Sequence, residues 1–161
     1  MAPADWPADS RIARAPDRPT LVMLVHPHCP CSRASLAELD RIMTRVSGRL
    51  SAHVLFVLPS GVSEGWERGA SWDSIARVPG VLVHVDDGGR EAARFGAFTS
   101  GQTVLYDAHG QLRFSGGITP ARGHEGDSAG ADAVVAVVQG AAPAAPRTPV
   151  FGCSLVEDSN A

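Results

Sequence analysis

The stretch LVMLVHPHCPCSRASLAELDRIM, residues 21–43, decides the fold. It opens with a continuous apolar run, which predicts a buried strand over about 20–26. It then carries apolar residues three or four positions apart, which predict an amphipathic helix. These residues are Leu36, Leu39 and Met43, and the same spacing continues beyond the stretch to Val46 and Leu50. Two of the three cysteines, Cys29 and Cys31, stand between the two elements. The sequence therefore places a pair of thiols where a strand passes into a helix.

Strands and helices keep alternating along the rest of the chain. Apolar runs predict strands at about 52–58 and 81–87, each followed by a helix. Residues 103–117, TVLYDAHGQLRFSGG, contain a tight turn and predict a β-hairpin. A last helix has Asp127 or Ser128 as its N-cap. The order β-α-β-α-β-α-β-β-α predicts an α/β protein with helices on both faces of a sheet.

The composition indicates one globular domain. The 161 residues carry a formal charge of −3, and 44% of them are hydrophobic, which suits a chain of this length with its own core. A charge this close to zero gives no reason to expect a nucleic-acid partner. No apolar run approaches the ~20 residues of a membrane span. All 14 basic residues are arginine, a bias typical of a GC-rich bacterial genome.

Three segments are predicted along the chain. Residues 1–19 are polar and proline-rich and lack the apolar centre of a signal peptide, so we expect a leader or tether. Residues 20–141 form the domain. Residues 142–161 are an Ala/Pro linker and a tail whose apolar island, PVFGCSL, we expect to dock on the domain. We expect a bacterial extracytoplasmic location, with any anchor or signal upstream of residue 1.

The order of elements and the cysteine motif resemble the thioredoxin fold. Residues 21–43 resemble its strand–CxxC–helix segment if Cys29 takes the place of the first cysteine. Residues 81–117 resemble TlpA-like and peroxiredoxin-like members. The motifs HPHCPCSRASL, TSGQTVLYD, GGITPARGHEGD and PVFGC together resemble bacterial RedB-like proteins. The resemblance covers about residues 20–140 and the tail motif. It implies a central mixed β-sheet with a C-terminal β-hairpin, and thiol–disulfide oxidoreductase activity.

The sequence departs from the thioredoxin pattern in two places. Ser32 stands where thioredoxins have their second cysteine, because Cys31 comes one position early. The place of the family's cis-proline, which faces the site, falls on Gly101, followed by Gln102. Ordinary dithiol exchange is therefore in question, since the resemblance gives that proline the task of guiding substrates and discouraging metal capture.

The chemistry of the motif centres on Cys29. With Cys29 as the N-cap and Pro30 at the first helical position, the thiolate faces free amides and the positive end of the helix dipole. Such a position lowers a cysteine pKa, so Cys29 is the candidate nucleophile. The alternative is that both cysteines are inert. The expected lining of the site comprises His26, Pro27, His28, Pro30, Ser32, Gly101, Gln102, Arg122 and His124.

Two thiols are candidates for resolving an intermediate on Cys29. A bond between Cys29 and Cys31 would be strained, because residues two apart on a helix do not face each other. Cys153 lies at the end of an extended Pro-rich segment of about 40 Å reach at ~3.1 Å per residue, enough to return to the motif. The alternative for the tail is a purely structural one, in which Phe151 and Leu155 cover a groove.

The glycine-rich loop after the hairpin should lie at the same rim, because the second hairpin strand returns to the cysteine end. Arg122 could stabilise a thiolate or bind an anionic substrate. His124 could carry a proton or bind a metal. The alternative is a solvated loop without a role.

We therefore expect a thiol–disulfide oxidoreductase without a cofactor, with a protein or small-molecule disulfide or thiol as partner. Cys29 attacks, and Cys31 or Cys153 resolves. One alternative is a Sco-like copper protein that binds Cu(I) through Cys29, Cys31 and His124, since thiolates and imidazole suit that ion. Another is a non-catalytic thioredoxin-like binding domain.

Overall fold

The helices and strands follow the predicted order in a computed structural model, which describes residues 1–58 and 69–155. The elements are β1 (Thr20–Val25), α1 (Cys31–Arg45), β2 (Ser51–Leu58), α2 (Ala70–Ala76), β3 (Val81–Asp87), α3 (Arg90–Arg94), β4 (Gln102–Tyr106), β5 (Leu112–Gly116) and α4 (Ala129–Val138). Residues 59–68 of the predicted domain and residues 156–161 of the predicted tail lie outside the described residues.

The strands form one mixed sheet in the order β3-β2-β1-β4-β5, which confirms the predicted fold class. β1, β2 and β3 are parallel, whereas β4 is antiparallel to both β1 and β5. Leu24 near the end of β1 therefore lies opposite Gln102 at the start of β4. Thr103 in turn lies opposite Gly116 at the end of β5. The cysteine motif, the start of β4 and the loop after β5 thus share one edge of the sheet.

The core has two layers, one on each face of the sheet. β1 is buried on both faces and is apolar throughout after Thr20. Leu21, Met23 and Val25 pack with the helices α1, α2 and α4 on one face. Val22 and Leu24 face the other side, which α3 covers together with the N-terminal segment and Leu155 of the tail. The predicted helices on both faces are confirmed.

Two helix boundaries differ from the expectation. α1 begins at Cys31, with Pro30 in the N-cap position, one residue later than expected. It ends at Arg45, so Leu50 is buried in the connection to β2 rather than on the helix. α4 begins as expected, because the Ser128 hydroxyl accepts a hydrogen bond from the Ala131 amide at 3.0 Å.

Residues 1–19, expected to be a tether, lie against the sheet. Trp6 stacks edge-on against Phe95 and Tyr106, with ring centroids 5.1 and 5.2 Å apart. Ile12 is buried. Because α3 has only five residues, it leaves much of this face open, and a few apolar side chains suffice to hold the segment there.

The tail lies along the outer edge of the hairpin and then crosses to the start of β4. The Ser115 amide donates to the Pro146 carbonyl at 3.0 Å, and the Gly117 amide donates to the Pro149 carbonyl at 3.2 Å. Leu155 is 1% exposed. The tail is therefore part of the folded domain as far as residue 155.

No helix within residues 1–58 and 69–155 is long and apolar enough to cross a membrane. The extracytoplasmic location stays a prediction.

Candidate active site

The three cysteines of the chain meet at the edge of the sheet. The Cys29 Sγ lies 2.6 Å from the Cys153 Sγ, and all three sulfurs lie within 4.8 Å of one another. All three are free thiols. Cys29 and Cys31 are 5% and 6% exposed, whereas Cys153 is half-buried. A covered thiol pair thus lies beneath a more accessible third thiol.

Cys29 is fixed by a turn between β1 and α1. Its amide donates to the His26 carbonyl at 3.2 Å, and its own carbonyl accepts from the Ser32 amide at 3.0 Å. Cys29 is therefore not the N-cap that we expected, because the helical conformation of Pro30 moves that position one residue on. The Cys31 amide nevertheless donates a hydrogen bond to the Cys29 sulfur.

The cysteines differ in acidity. Burial disfavours the Cys29 thiolate, but hydrogen bonds from Cys153 and Cys31 outweigh it and lower the pKa of Cys29 to about 7. The hydrogen bond that Cys153 gives to Cys29, together with burial, raises the pKa of Cys153 to about 11. Of the two, Cys29 consequently ionises first, around neutral pH, while Cys153 keeps its proton and remains the donor.

Arg122 brings a positive charge to the sulfurs. Its Nε donates to the Cys31 Sγ at 3.2 Å, and its Nη2 donates to the Cys153 Sγ at 3.4 Å. The loop that carries Arg122 is anchored on α1, where the Gly126 amide donates to the Glu38 carboxylate at 2.7 Å. Glu125 forms a salt bridge with Arg41 at 3.0 Å. The loop is therefore held in place, and the expected contact between Arg122 and a thiol is present.

A serine that the sequence analysis missed organises the backbone under the motif. Ser100 is 1% exposed, and its hydroxyl lies 2.9 Å from the Ser32 hydroxyl. It accepts from the His26 amide at 2.8 Å, while its amide donates to the Cys153 carbonyl at 2.7 Å. Ser100 therefore connects the Cys29 turn to the tail. Its only sequence signal was its place directly before Gly101.

The tail pairs with the segment before β4 from Cys153 to Leu155. Besides the bond from Ser100, the Leu155 amide donates to the Phe98 carbonyl at 3.0 Å, and Thr99 and Ser154 form an antiparallel bridge. Gly152 lies so close to Ser100 that a Cβ there would collide with the Ser100 carbonyl oxygen. The backbone therefore fixes the position of Cys153.

Comparison with known proteins identifies the fold. No family model and no curated protein matches the sequence, whereas solved structures do match. An uncharacterized conserved protein from Geobacillus kaustophilus is 16% identical and has a TM-score of 0.74, over 100% of this chain and 95% of that one. A hypothetical protein from Sinorhizobium meliloti 1021 is 17% identical, with a TM-score of 0.75 over 96% and 94%. A thioredoxin-like protein in the oxidized form is 15% identical, with a TM-score of 0.53 over 79% and 86%. This chain has a thioredoxin-like fold. The closeness to RedB-like proteins stays a prediction.

Gly101 lies where the sequence comparison put the family's cis-proline. Its amide donates to the Leu24 carbonyl at 2.8 Å, a bond that proline cannot make. Its φ is +94°, and a Cβ there would lie 2.8 Å from the Ser35 Oγ. No cis peptide bond occurs in the described residues. The neighbouring Gln102 does not reach the sulfurs, because its side chain bonds Phe98 and Gly96 and closes the loop before β4.

The histidines lie at the margin of the site. The His26 Nδ1 accepts from the His28 amide at 3.1 Å, so this ring supports the turn. Pro27 is half-buried, whereas His28, Pro30 and His124 are exposed. Within the described residues, the set of side chains whose ligand atoms lie close enough to share an ion comprises the three cysteines and does not include His124. The predicted ligand set of Cys29, Cys31 and His124 is therefore not brought together, since the tail places Cys153 there instead.

Proposed function

We propose that the protein is a thiol–disulfide oxidoreductase in which Cys29 is the nucleophile and Cys153 is the resolving thiol. The observation that carries this proposal is the 2.6 Å contact between their sulfurs. Their opposite pKa shifts support it, because the attacking group must be a thiolate and the resolving group must wait as a thiol. Cys31 donates to Cys29 and so stabilises the thiolate.

The reaction transfers two electrons from the protein to the substrate. The Cys29 thiolate attacks one sulfur of a substrate disulfide and expels the other as a thiolate. Cys153 then loses its proton and attacks Cys29, which forms the Cys29–Cys153 disulfide and releases the second substrate thiolate. With a hydroperoxide, Cys29 takes one oxygen and an alcohol leaves, and Cys153 then condenses with the sulfenic acid and releases water.

Arg122 has an electrostatic part in this cycle. Its guanidinium contacts the sulfurs of Cys31 and Cys153, and Cys153 keeps its proton while Cys29 is the thiolate. When Cys153 loses its proton, this charge stabilises the new thiolate. An arginine remains positively charged throughout the pH range of thiol exchange.

Mass-spectrometric mapping of the oxidised protein tests this proposal. We expect a stoichiometric oxidant such as diamide to give a Cys29–Cys153 disulfide in the wild type and in Cys31→Ser. In Cys153→Ser, the same treatment in the presence of a substrate thiol should leave a mixed disulfide on Cys29. A Cys29–Cys31 disulfide in the wild type would contradict the assignment. Failure of all three thiols to react would instead favour a non-catalytic binding domain.

A second candidate function is binding of Cu(I) by the three cysteines. Three thiolates within 4.8 Å suit a soft ion. A structural Zn²⁺ site needs four ligands, and the described His, Cys, Asp and Glu side chains supply no fourth one to this group. The Cu(I) ligands would then be Cys29, Cys31 and Cys153, with Cys153 in place of His124, the ligand that the sequence suggested.

Competition with a chromophoric Cu(I) chelator under anaerobic conditions tests this second candidate. We expect one Cu(I) per chain, and at least tenfold weaker binding in Cys153→Ser. His124→Ala is the matched control and should bind as the wild type does. Equal binding by Cys153→Ser and wild type would exclude the three-cysteine site.

A further inference from the structure

We infer that an external thiol that reduces the oxidised protein exchanges with Cys153 and not with Cys29, and that the physiological reductant is a dithiol. This inference rests on the proposed function, since it concerns how the Cys29–Cys153 disulfide is opened. It assigns to the tail cysteine a second task, as the point where a partner is bound covalently.

The first argument is access. A thiolate attacks a disulfide along the S–S axis, from the side opposite the bond that breaks. Cys29 is 5% exposed and lies between the turn after β1 and the tail, whereas Cys153 is half-buried on the outer segment. The tail is held at Cys153, where the Ser100 amide donates to the Cys153 carbonyl, and at Leu155, whose amide donates to the Phe98 carbonyl. The attacking thiolate therefore reaches the sulfur of Cys153 more readily than that of Cys29.

The second argument is the leaving group. Attack on Cys153 expels the Cys29 thiolate, whereas attack on Cys29 expels the Cys153 thiolate. The better-stabilised thiolate leaves faster, and the Cys31 thiol and amide donate to the Cys29 sulfur, hydrogen bonds that remain when Cys153 is held in a mixed disulfide. Access and leaving-group strength therefore both favour attack on the sulfur of Cys153.

The surroundings of Cys153 suit an approaching thiolate. The exposed Arg122 lies 3.4 Å from the Cys153 Sγ, so it attracts an incoming anion. Phe98 is 68% exposed on the segment that pairs with the tail. It lines one groove together with Arg147 and Val150. The exposed Phe98 ring offers a polypeptide partner an apolar contact on the segment that pairs with the tail, and Arg122 offers an electrostatic contact at Cys153.

The requirement for a dithiol follows from the same geometry. Attack by RS⁻ on the disulfide gives a Cys153–S–S–R mixed disulfide and frees the Cys29 thiolate, which still faces Cys153. Cys29 then attacks Cys153 again and expels RS⁻, so a monothiol reduces the protein only if a second molecule attacks the sulfur of R before Cys29 returns. A dithiol escapes this return because its second thiolate attacks the sulfur of R. That step closes the partner's own disulfide and releases Cys153, so two electrons pass to the protein.

Adduct mapping with glutathione tests the site of exchange. The oxidised Cys31→Ser variant and the oxidised wild type are first mapped for the Cys29–Cys153 disulfide. If this disulfide is missing, the proposed function fails before the inference is tested. If it is present, a brief pulse of excess glutathione is quenched with acid, and the free thiols are alkylated. We expect glutathione on Cys153 at least tenfold more often than on Cys29. An equal distribution, or more glutathione on Cys29, would overturn the inference.

Removal of free glutathione from a parallel sample, which is neither quenched with acid nor alkylated, tests the dithiol requirement. After rapid desalting at neutral pH, the Cys153 adduct should revert to the Cys29–Cys153 disulfide. Dithiothreitol at the same thiol concentration should instead give fully reduced protein without an accumulated adduct. A Cys153 adduct that persists after desalting would show that Cys29 does not return, and would refute the requirement for a dithiol.

Discussion

The hydrogen bond between Cys29 and Cys153 shifts the pKa of both cysteines. Cys29 and Cys153 are chemically identical side chains, yet one is made more acidic and the other less acidic by the contact between them. Cys153 donates this hydrogen bond, so it is the cysteine that keeps its proton. Cys153 in the tail therefore lowers the pKa of Cys29 before any disulfide forms.

Replacement of Cys153 tests this effect on Cys29. Wild-type Cys29 should reach half-maximal alkylation near its pKa of about 7. Cys153→Ala removes a donor that favours the thiolate, so the half-maximal point should move to higher pH. Cys153→Ser keeps a donor and is the matched control, with a smaller displacement. Initial rates of iodoacetamide labelling, located by peptide mass spectrometry, measure all three. A Cys153→Ala profile identical to that of the wild type would contradict this account.

Much of the site was predictable from residue types and topology. Cys29 and Arg122 could be placed because a strand end, a helix start and a returning hairpin meet at one edge of any such sheet. Ser100 could not be recognised, because a buried serine that joins a turn to a tail has no pattern of its own. The exclusion of His124 from the sulfur group depends on side-chain directions within a loop, which spacing does not encode.

At the scale of elements, the tail forms isolated β-bridges with the rest of the domain. Close contacts between backbone atoms fix its position. Gly152 has no side chain, so the tail can approach the carbonyl of Ser100. Gly117 likewise faces the Pro149 carbonyl, 2.6 Å from where a Cβ would be. At both positions a glycine therefore allows the tail backbone to approach the rest of the domain closely.

Gly152→Ala should displace the tail. The added methyl group collides with backbone, which cannot move aside as a flexible side chain can. Loss of Leu155 burial should lower the free energy of unfolding by about 2 kcal/mol, and diamide should form the Cys29–Cys153 disulfide at least tenfold more slowly. Gly69→Ala is the matched control, since a Cβ there meets nothing within 4 Å. Wild-type rates of disulfide formation in Gly152→Ala would show that the contact does not position Cys153.

At the scale of the whole molecule, hydrophobic periodicity predicted the sheet and helices, but it did not predict that residues 1–19 pack on the fold. Their few apolar residues are too widely spaced to form a pattern, and their docking depends on a sheet face that a five-residue helix leaves open. Polar contacts complete this docking. The His53 Nε2 lies 3.1 Å from the Ala13 carbonyl, and its Nδ1 lies 2.9 Å from the His84 Nε2.

This histidine pair should make the stability of the protein depend on pH. Burial, with a smaller effect of His84, lowers the pKa of His53 from 6.5 to about 4. The unfolded chain thus binds the proton more tightly than the native state does. The stabilisation is complete above pH 6.5 and decreases as the pH falls towards about 4, at a slope of at most about 1.4 kcal/mol per pH unit.

Urea unfolding at pH 7 and pH 5 measures this dependence. His53→Gln should lose less stability between the two pH values than the wild type does, whatever its stability at pH 7. His109→Gln, which alters an exposed turn residue, should retain the wild-type dependence. Equal losses in wild type and His53→Gln would assign the acid sensitivity to other groups.

The contact between Cys29 and Cys153 also links positions that are 124 residues apart in the chain. A covalent bond between them would turn most of the polypeptide into a closed ring. In the chain-entropy description, a ring of this size removes freedom from the unfolded ensemble that is equivalent to about 5 kcal/mol. Each catalytic turn would therefore switch the domain between an open chain and a ring, and its thermal midpoint would rise on oxidation and fall again on reduction. Formation of the Cys29–Cys153 disulfide would therefore raise the free energy of unfolding of the whole fold.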